Sequence, residues 1–344
     1  MGEADDDTVM WNRRIHRRAA AAAGVVLVSG AGATLAHAAT QPPAPEGHSA
    51  GAAVMSAPPQ FSRSTQAAFR FVVGAGNRVA CTLDGRTVPC SSSSAALTNL
   101  AQGRHTFIVT ATDSVGDVAT GSSTWVADTA RPSAGITRPG RPTALSRRIV
   151  VAWSGRDGAG SGVASYDVRL AQASWNGRLS RPVVWKRGLS TTTAALTGSA
   201  GTEYCFSVRA RDRAGNVSGW SRRTCTTLPL DDRALRASPG WQRTLGDRYY
   251  GGTISAAARQ GRTLIRTSAP RGRAALVVTR GPGFGTLSVR YNGRTVKTIS
   301  LSAASRRDRV VVALPALTAA KTTIVIRTTS GRRVLVDGLM LARV

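Results

Sequence analysis

Phe107-Ile108-Val109-Thr110-Ala111-Thr112-Asp113-Ser114-Val115-Gly116-Asp117 returns 99 residues later as Phe206-Ser207-Val208-Arg209-Ala210-Arg211-Asp212-Arg213-Ala214-Gly215-Asn216. In both copies Phe, Val and Ala alternate with other residues, the period of a strand with one buried face. An Asp-x-x-Gly-Asp/Asn turn follows, where Gly permits the positive φ that reverses the chain. A Trp comes soon after each copy, Trp125 and Trp220, expected on the next strand. A repeat of this length is about one β-sandwich.

Working outward, Phe69-Arg70-Phe71-Val72-Val73, His105 to Ala111 and Thr124-Trp125-Val126 read as short strands between Gly, Asn, Asp and Ser. Residues 233–344 add Arg273 to Thr279, Thr286 to Tyr291, Val310 to Leu314, Thr323 to Arg327 and a closing strand Val336 to Leu341. Asn292-Gly293 between two such runs signals a type I′ hairpin. The whole chain of 344 residues supports two or three domains. Thr, Ser, Val and Gly abound while Glu and Lys are scarce, which disfavours helices. The fold class is therefore all-β: two tandem immunoglobulin/fibronectin-like sandwiches followed by a jelly-roll-like sandwich.

The N-terminal segment reads as an export signal. Arg13, Arg14, Arg17 and Arg18 precede an uncharged small-residue run from Ala19 to Ala36, and Ala36-His37-Ala38 fits the small-x-small cleavage pattern. Residues 1–38 are thus expected to be a signal peptide cut after Ala38. A retained anchor is the competing reading, and the general and twin-arginine routes both stay open. Residues 39–60, rich in Ala, Pro, Gly and Gln, read as a flexible linker. No Cys follows the cleavage site for lipidation, and Leu341 to Val344 carries no sorting signal. The mature chain is expected to be secreted or held at the cell surface non-covalently, without a transmembrane anchor, as a monomer.

Three resemblances follow from these residues. Residues 61–132 resemble bacterial Ig-like domains of exported, actinobacterial-type modular proteins through Cys81-Thr82-Leu83-Asp84-Gly85, Cys90, Gly103 to Phe107, Trp125 and Asp128-Thr129 to Pro132. Residues 133–230 resemble fibronectin type III modules through Ser161 to Arg169 and Tyr204-Cys205-Phe206 to Trp220. Residues 231–344 resemble the jelly rolls of galactose-binding-like and carbohydrate-binding modules through Tyr249-Tyr250-Gly251-Gly252-Thr253 and the closing strand. The resemblance implies spacer, adhesive or glycan-binding roles and does not by itself name a ligand.

Side-chain chemistry narrows the function. Cys81 with Cys90, and Cys205 with Cys225, are two local pairs that exported proteins oxidise; their spacing across two domains disfavours a four-Cys zinc site. His16 and His37 lie in the signal and His48 in the linker, leaving His105, which reads as a strand-start residue packed on a turn. No Ser-His-Asp set or metal motif can be assembled, so the chain is expected to be non-enzymatic, with no catalytic residues, metal or cofactor. Asp113, Asp117, Asp157 and Asp212 sit in Gly-containing turns, where Asx bonding is favoured over Ca²⁺. The weaker enzymatic alternative is a cryptic glycan hydrolase using Asp231, Asp232, Asp247, Asp308 or Asp337; Asp231-Asp232 read as linker and Asp337 as a strand end.

Charge is the most unusual property: 46 Lys+Arg against 18 Asp+Glu give a net +28. It rises along the chain, from +2 over 61–132 to +11 over 133–228 and +16 over 229–344. Such a surface attracts polyanions, here anionic cell-wall polymers or acidic glycans, with no specific nucleic acid. Compositional drift, with the arginines merely solvated, explains the count equally well. For a sugar platform the candidates are Trp241, Tyr249, Tyr250 and Tyr291, each of which could instead fill the core. Trp153 reads as a core residue and Trp175 as exposed. A structural spacer without ligand is the remaining alternative.

Overall fold

The computed structural model describes residues 50–343. The expected signal peptide, and the linker up to residue 49, lie outside them. Among the described residues there is no α-helix, only strands and two 3-10 turns, and three separate hydrophobic cores succeed one another along the chain.

The first sandwich packs a sheet of Ala52–Ser56, Ala67–Val73 and Ser94–Leu97 against a sheet of Phe61–Ser62, Val118–Ala127, Gly103–Thr112, Arg78–Leu83 and Arg86–Val88, in those spatial orders. Residues 52–56, expected in the flexible linker, form a strand whose Ala52 and Val54 pair with Val73 and Phe71. Its Ala-Ala-Val-Met-Ser has little strand signal of its own; the partner edge supplies the register. Phe69 stacks on Phe107 at 4.1 Å and meets Trp125 edge-on at 5.3 Å, so the inward alternation read from the repeat builds this core.

The second sandwich sets Thr193–Thr197, Arg148–Arg156 and Ser133–Arg138 against Val183–Leu189, Val163–Ser174, Thr202–Asp212 and Thr224–Thr227. Trp153 is in its core, as its apolar run indicates. Trp220 departs from expectation: it precedes the strand Thr224–Thr227 rather than lying in it. Here Ser218 and Ser221 hold the chain to the neighbouring strand by backbone N–H bonds to Ala210 and Val208, and the Trp220 ring lies between the Arg169 and Arg209 guanidinium groups at 4.7 and 4.8 Å.

In the third sandwich, Gln242–Leu245, Thr253–Ala257, Val334–Ala342, Gly272–Arg280 and Arg307–Leu317 form one sheet. Leu230–Asp231 adds to Val334–Ala342 through Leu230 and Leu339, so the third sandwich starts at residue 230. The opposing sheet orders Arg236–Ala237, Thr263–Ala269, Thr322–Thr328, Thr286–Tyr291 and Arg294–Ser300. Asn292 and Gly293 have φ of 49° and 87°, the two positive values that a type I′ turn requires.

The second and third sandwiches interlock. Trp175, expected to be exposed, packs against the third core under the Arg266 guanidinium at 3.8 Å. In return Tyr250 enters the second core, its hydroxyl donating to the Pro229 carbonyl at 2.7 Å.

Both cysteine pairs are disulfides, Cys81–Cys90 and Cys205–Cys225. Cys205 and Cys225 face each other on adjacent strands, 20 residues apart in sequence. Replacing both by Ala frees a loop of that length in the unfolded chain and is expected to cost about 3 kcal/mol. Chemical denaturation of the full chain reads this; a loss below about 1 kcal/mol would show that the bridge leaves the unfolded ensemble unconstrained.

Candidate functional site

The aromatic residues singled out in the third sandwich do not form a platform. Tyr249 is buried beside Ile254 and Leu335, its hydroxyl accepting from the Arg306 guanidinium at 3.1 Å. Tyr250 is 2 % exposed, and burial, with the carboxylate of Asp231 nearby, pushes its phenol well above the usual range. Tyr291 is half-buried, its hydroxyl donating to the Pro315 carbonyl at 2.9 Å; burial pushes it up to about 12. Trp241 is partly buried against the core, its Nε1 buried without a partner. The side chains of Tyr249 and Tyr250 fill interior space instead of meeting solvent, Tyr249 in an apolar cluster with Ile254 and Leu335 and Tyr250 in the core of the second sandwich.

What the fold does assemble is an arginine-lined cleft of about 400 Å³ beside Trp241. The hairpin of Gln242–Leu245 and Thr253–Ala257 presents Gln242 and Thr244 on one side, over a floor of Ala256, Ala257 and Ala258. Arg259 and Arg262 come from the following turn, and Arg333 from the loop before the closing strand. Buried Thr328 pins the turn: its hydroxyl donates to the Arg259 carbonyl at 2.7 Å and accepts the Arg262 N–H at 2.9 Å. Its backbone N–H and carbonyl bond Arg262 and Gly261. The Arg262 guanidinium lies against Gly240, where a Cβ would come within 2.9 Å of Nε, so glycine makes room for it. That Nε is buried without a hydrogen-bond acceptor. Arg259 and Arg333 are exposed, and none of the three arginines has an ion-pair partner among the described residues. Three permanently charged forks on one small-residue floor are suited to carboxylate, sulfate or phosphate oxygens.

The carboxylates weighed for hydrolysis gather elsewhere. Asp337 is not at a strand end but in the middle of the fully buried Val334–Ala342. Its Oδ1 accepts the Tyr250 N–H at 2.9 Å. Asp231 and Asp232 are not linker residues either: both accept from the Thr253 hydroxyl, at 3.0 and 2.6 Å, and Asp232 also from Ser255 at 2.6 Å. Asp232 is pushed up by burial and by its bond with Asp231. Asp231 stays below the usual range, because bonds from Asp232, Arg233 and Thr253 outweigh its burial. Asp231 lines a neighbouring cleft of about 290 Å³ with Arg147 and Arg233, whereas Asp232 and Asp337 are fully buried. This is a structural acid cluster at the entry to the third sandwich, not a facing pair across a groove.

Asp337 gives a pH signature. Burial, with the Asp232 charge, raises its carboxyl to about 7 despite the Tyr250 N–H bond. The folded state therefore holds a proton that the unfolded chain has released above the ordinary carboxylate range. The contribution of Asp337 to stability is greatest below about 4 and falls as pH rises toward about 7. Between pH 5.5 and 7.5 the loss is expected to be about 2 kcal/mol, and Asp337→Asn should flatten it. Urea denaturation at the two pH values tests this; an unchanged slope in Asp337→Asn would assign the dependence to other groups.

His105 is buried at the head of Gly103–Thr112, with Nδ1 2.7 Å from Asp84 Oδ2 and Nε2 2.9 Å from the Ala101 carbonyl. Burial opposes its charge, but the Ala101 and Asp84 bonds prevail and raise its pKa. It clamps the Asp84-Gly85 turn, the packing role its position suggests.

No protein-family model matches the chain. Among curated proteins it is similar to Endoglucanase B of Cellulomonas fimi, 34% identical over 135 residues, covering 37% of this chain and 12% of that protein. It is also similar to Chitinase A1 of Niallia circulans, 29% identical over 178 residues, covering 48% of this chain and 22% of that protein. The chain thus spans less than a quarter of either relative. Among solved structures, CsCBM6-3 of Clostridium stercorarium in complex with cellobiose aligns with 33% of this chain and 92% of its own, at 17% identity and a TM-score of 0.27.

Proposed function

We propose that this chain is an exported, non-enzymatic modular protein that binds glycans, and that its third sandwich takes anionic ones in the cleft of Arg259, Arg262 and Arg333. The observation that carries the reading is that these three arginines, with no acidic partner among the described residues, line one cleft. Partial likeness to an endoglucanase and a chitinase supports a carbohydrate setting without supplying their catalysis. The first two sandwiches act as a spacer that holds the third away from the surface to which the chain is attached or from which it is released. The protein works as a monomer, and the net charge of +28 adds long-range attraction to wall phosphates and acidic sugars.

The test uses the purified full chain on isolated Gram-positive cell walls, before and after their anionic polymers are stripped. Retention at 50 mM salt, released by a few hundred millimolar and lost on stripped walls, is expected, because ionic contacts are screened and counterions compete. Salt-insensitive binding to stripped walls or neutral cellulose would replace this reading with a neutral-glycan site. No binding to any of the three would leave a spacer.

A further inference from the structure

Three carboxylates meet where the first sandwich joins the second. Asp128 follows the last strand of the first, Val118–Ala127; Asp157 follows Arg148–Arg156, and Asp212 ends Thr202–Asp212 in the second. One oxygen from each lies within 4.8 Å of the others. Asp128 and Asp212 are 0 % and 1 % exposed, and Asp157 is half-buried. Packing three acids this closely out of water is costly unless a cation offsets them. No Lys or Arg forms an ion pair with any of them among the described residues. Burial, together with the charges of Asp128 and Asp212, raises the Asp157 carboxyl.

Backbone N–H groups orient the cluster but do not satisfy it. Asp128 accepts from Ser161 at 2.7 Å and Ala130 at 3.1 Å; Asp157 Oδ2 accepts from Gly162 at 2.6 Å; Asp212 Oδ1 accepts from Asn216 at 2.7 Å. Asp212 Oδ2 and Asp157 Oδ1 are buried with no partner. The loop closes tightly on the acids: a Cβ at Gly160 would lie 2.7 Å from both Asp128 Oδ2 and Asp157 Oδ2. The related turn in the first sandwich gives a control. Asp113 likewise accepts the N–H four residues on, from Asp117, and also that of Val115, and leaves Oδ2 unpartnered, but it joins no group of three such ligands among the described residues. The convergence of three carboxylates is what separates the two turns.

We propose that Asp128, Asp157 and Asp212 bind a Ca²⁺ ion that locks the first sandwich onto the second. Oxygens on one Ca²⁺, bonded at about 2.3–2.6 Å, lie no more than about 5 Å apart, the spacing this cluster has. An all-carboxylate set, without His or Cys, selects a hard cation over zinc or copper. The ion neutralises the acids and ties the connection at Asp128 to two loops of the second sandwich. The Asn216 side-chain N–H already reinforces that tie by donating to the Asp128 carbonyl at 2.9 Å.

The experiment titrates CaCl2 into the EDTA-treated full chain and follows calorimetric binding and thermal unfolding. One ion per chain is expected, with a rise in Tm of several degrees that EDTA reverses and MgCl2 does not reproduce in full. Asp157→Asn, the least buried of the three, should weaken binding at least tenfold and abolish the rise, while Asp113→Asn keeps both. The calorimetric arm decides even if the variant is less stable. Equal Tm in CaCl2 and EDTA, or wild-type affinity in Asp157→Asn, would overturn the site. Because the readout is metal binding, it succeeds or fails independently of glycan binding.

Discussion

A chain carrying Arg259→Glu and Arg333→Glu is expected to lose retention on anionic glycan by about a thousandfold at low salt. The two substitutions change the cleft by four charges, and each charge a few ångströms from an anion in water is worth about 1 kcal/mol. Four such terms amount to about a thousandfold in affinity. Both side chains are exposed, so the fold should tolerate the change, while Arg262, packed on Gly240, stays in place. The control with the same net charge, Arg78→Glu with Arg294→Glu, alters exposed arginines away from the cleft. It lowers the general attraction only, and should keep most of the binding. If both double variants bind equally weakly, attraction resides in the whole basic surface and the cleft has no special part. If both bind like the wild type, neither charge nor cleft is responsible.

The second large effect concerns stability. Gly272→Ala is expected to cost about 4 kcal/mol or more. Gly272 opens a strand of the third sandwich with φ of 151°, and a Cβ there would collide with the Ala342 carbonyl and lie 3.0 Å from the Arg343 Cα. Those obstacles are backbone of the closing strand, which cannot swing aside like a side chain. Gly219→Ala, with open space around its Cβ, should be nearly neutral. Hydrogen exchange of the amides in residues 231–344, followed peptide by peptide across a urea series, reads this sandwich, whereas fluorescence would sum the seven Trp of the chain. A midpoint within experimental error of the wild type would mean that the closing strand can move aside at little cost.

The strands were legible in the sequence for a local reason. Period-two alternation in Phe107–Ala111 and Phe206–Ala210, and the Asn292-Gly293 turn, act within a few residues. The strand Ala52–Ser56 was not legible, because it is defined by the edge of Ala67–Val73 rather than by its own side chains. The cleft escaped for a similar reason. Arg259 and Arg333 are far apart in sequence, and nothing in a chain so rich in arginine marks which of them converge. The aromatic residues misled because an aromatic before a Gly-Gly turn looks alike whether it meets solvent or enters a neighbouring core. Asp157 and Asp212 were readable as turn residues, and Asp128 only as part of the Ig-like pattern. Their meeting is a property of the junction, which pattern reading does not reach.

The exchange of Trp175 and Tyr250 between neighbouring cores bears on how such chains diversify. A recombination breakpoint near residue 230 would strand one ring on each side without its socket, and the Pro229 carbonyl without its phenol. The last two modules are therefore expected to be inherited as one cassette, with gene shuffling confined to positions before the second sandwich.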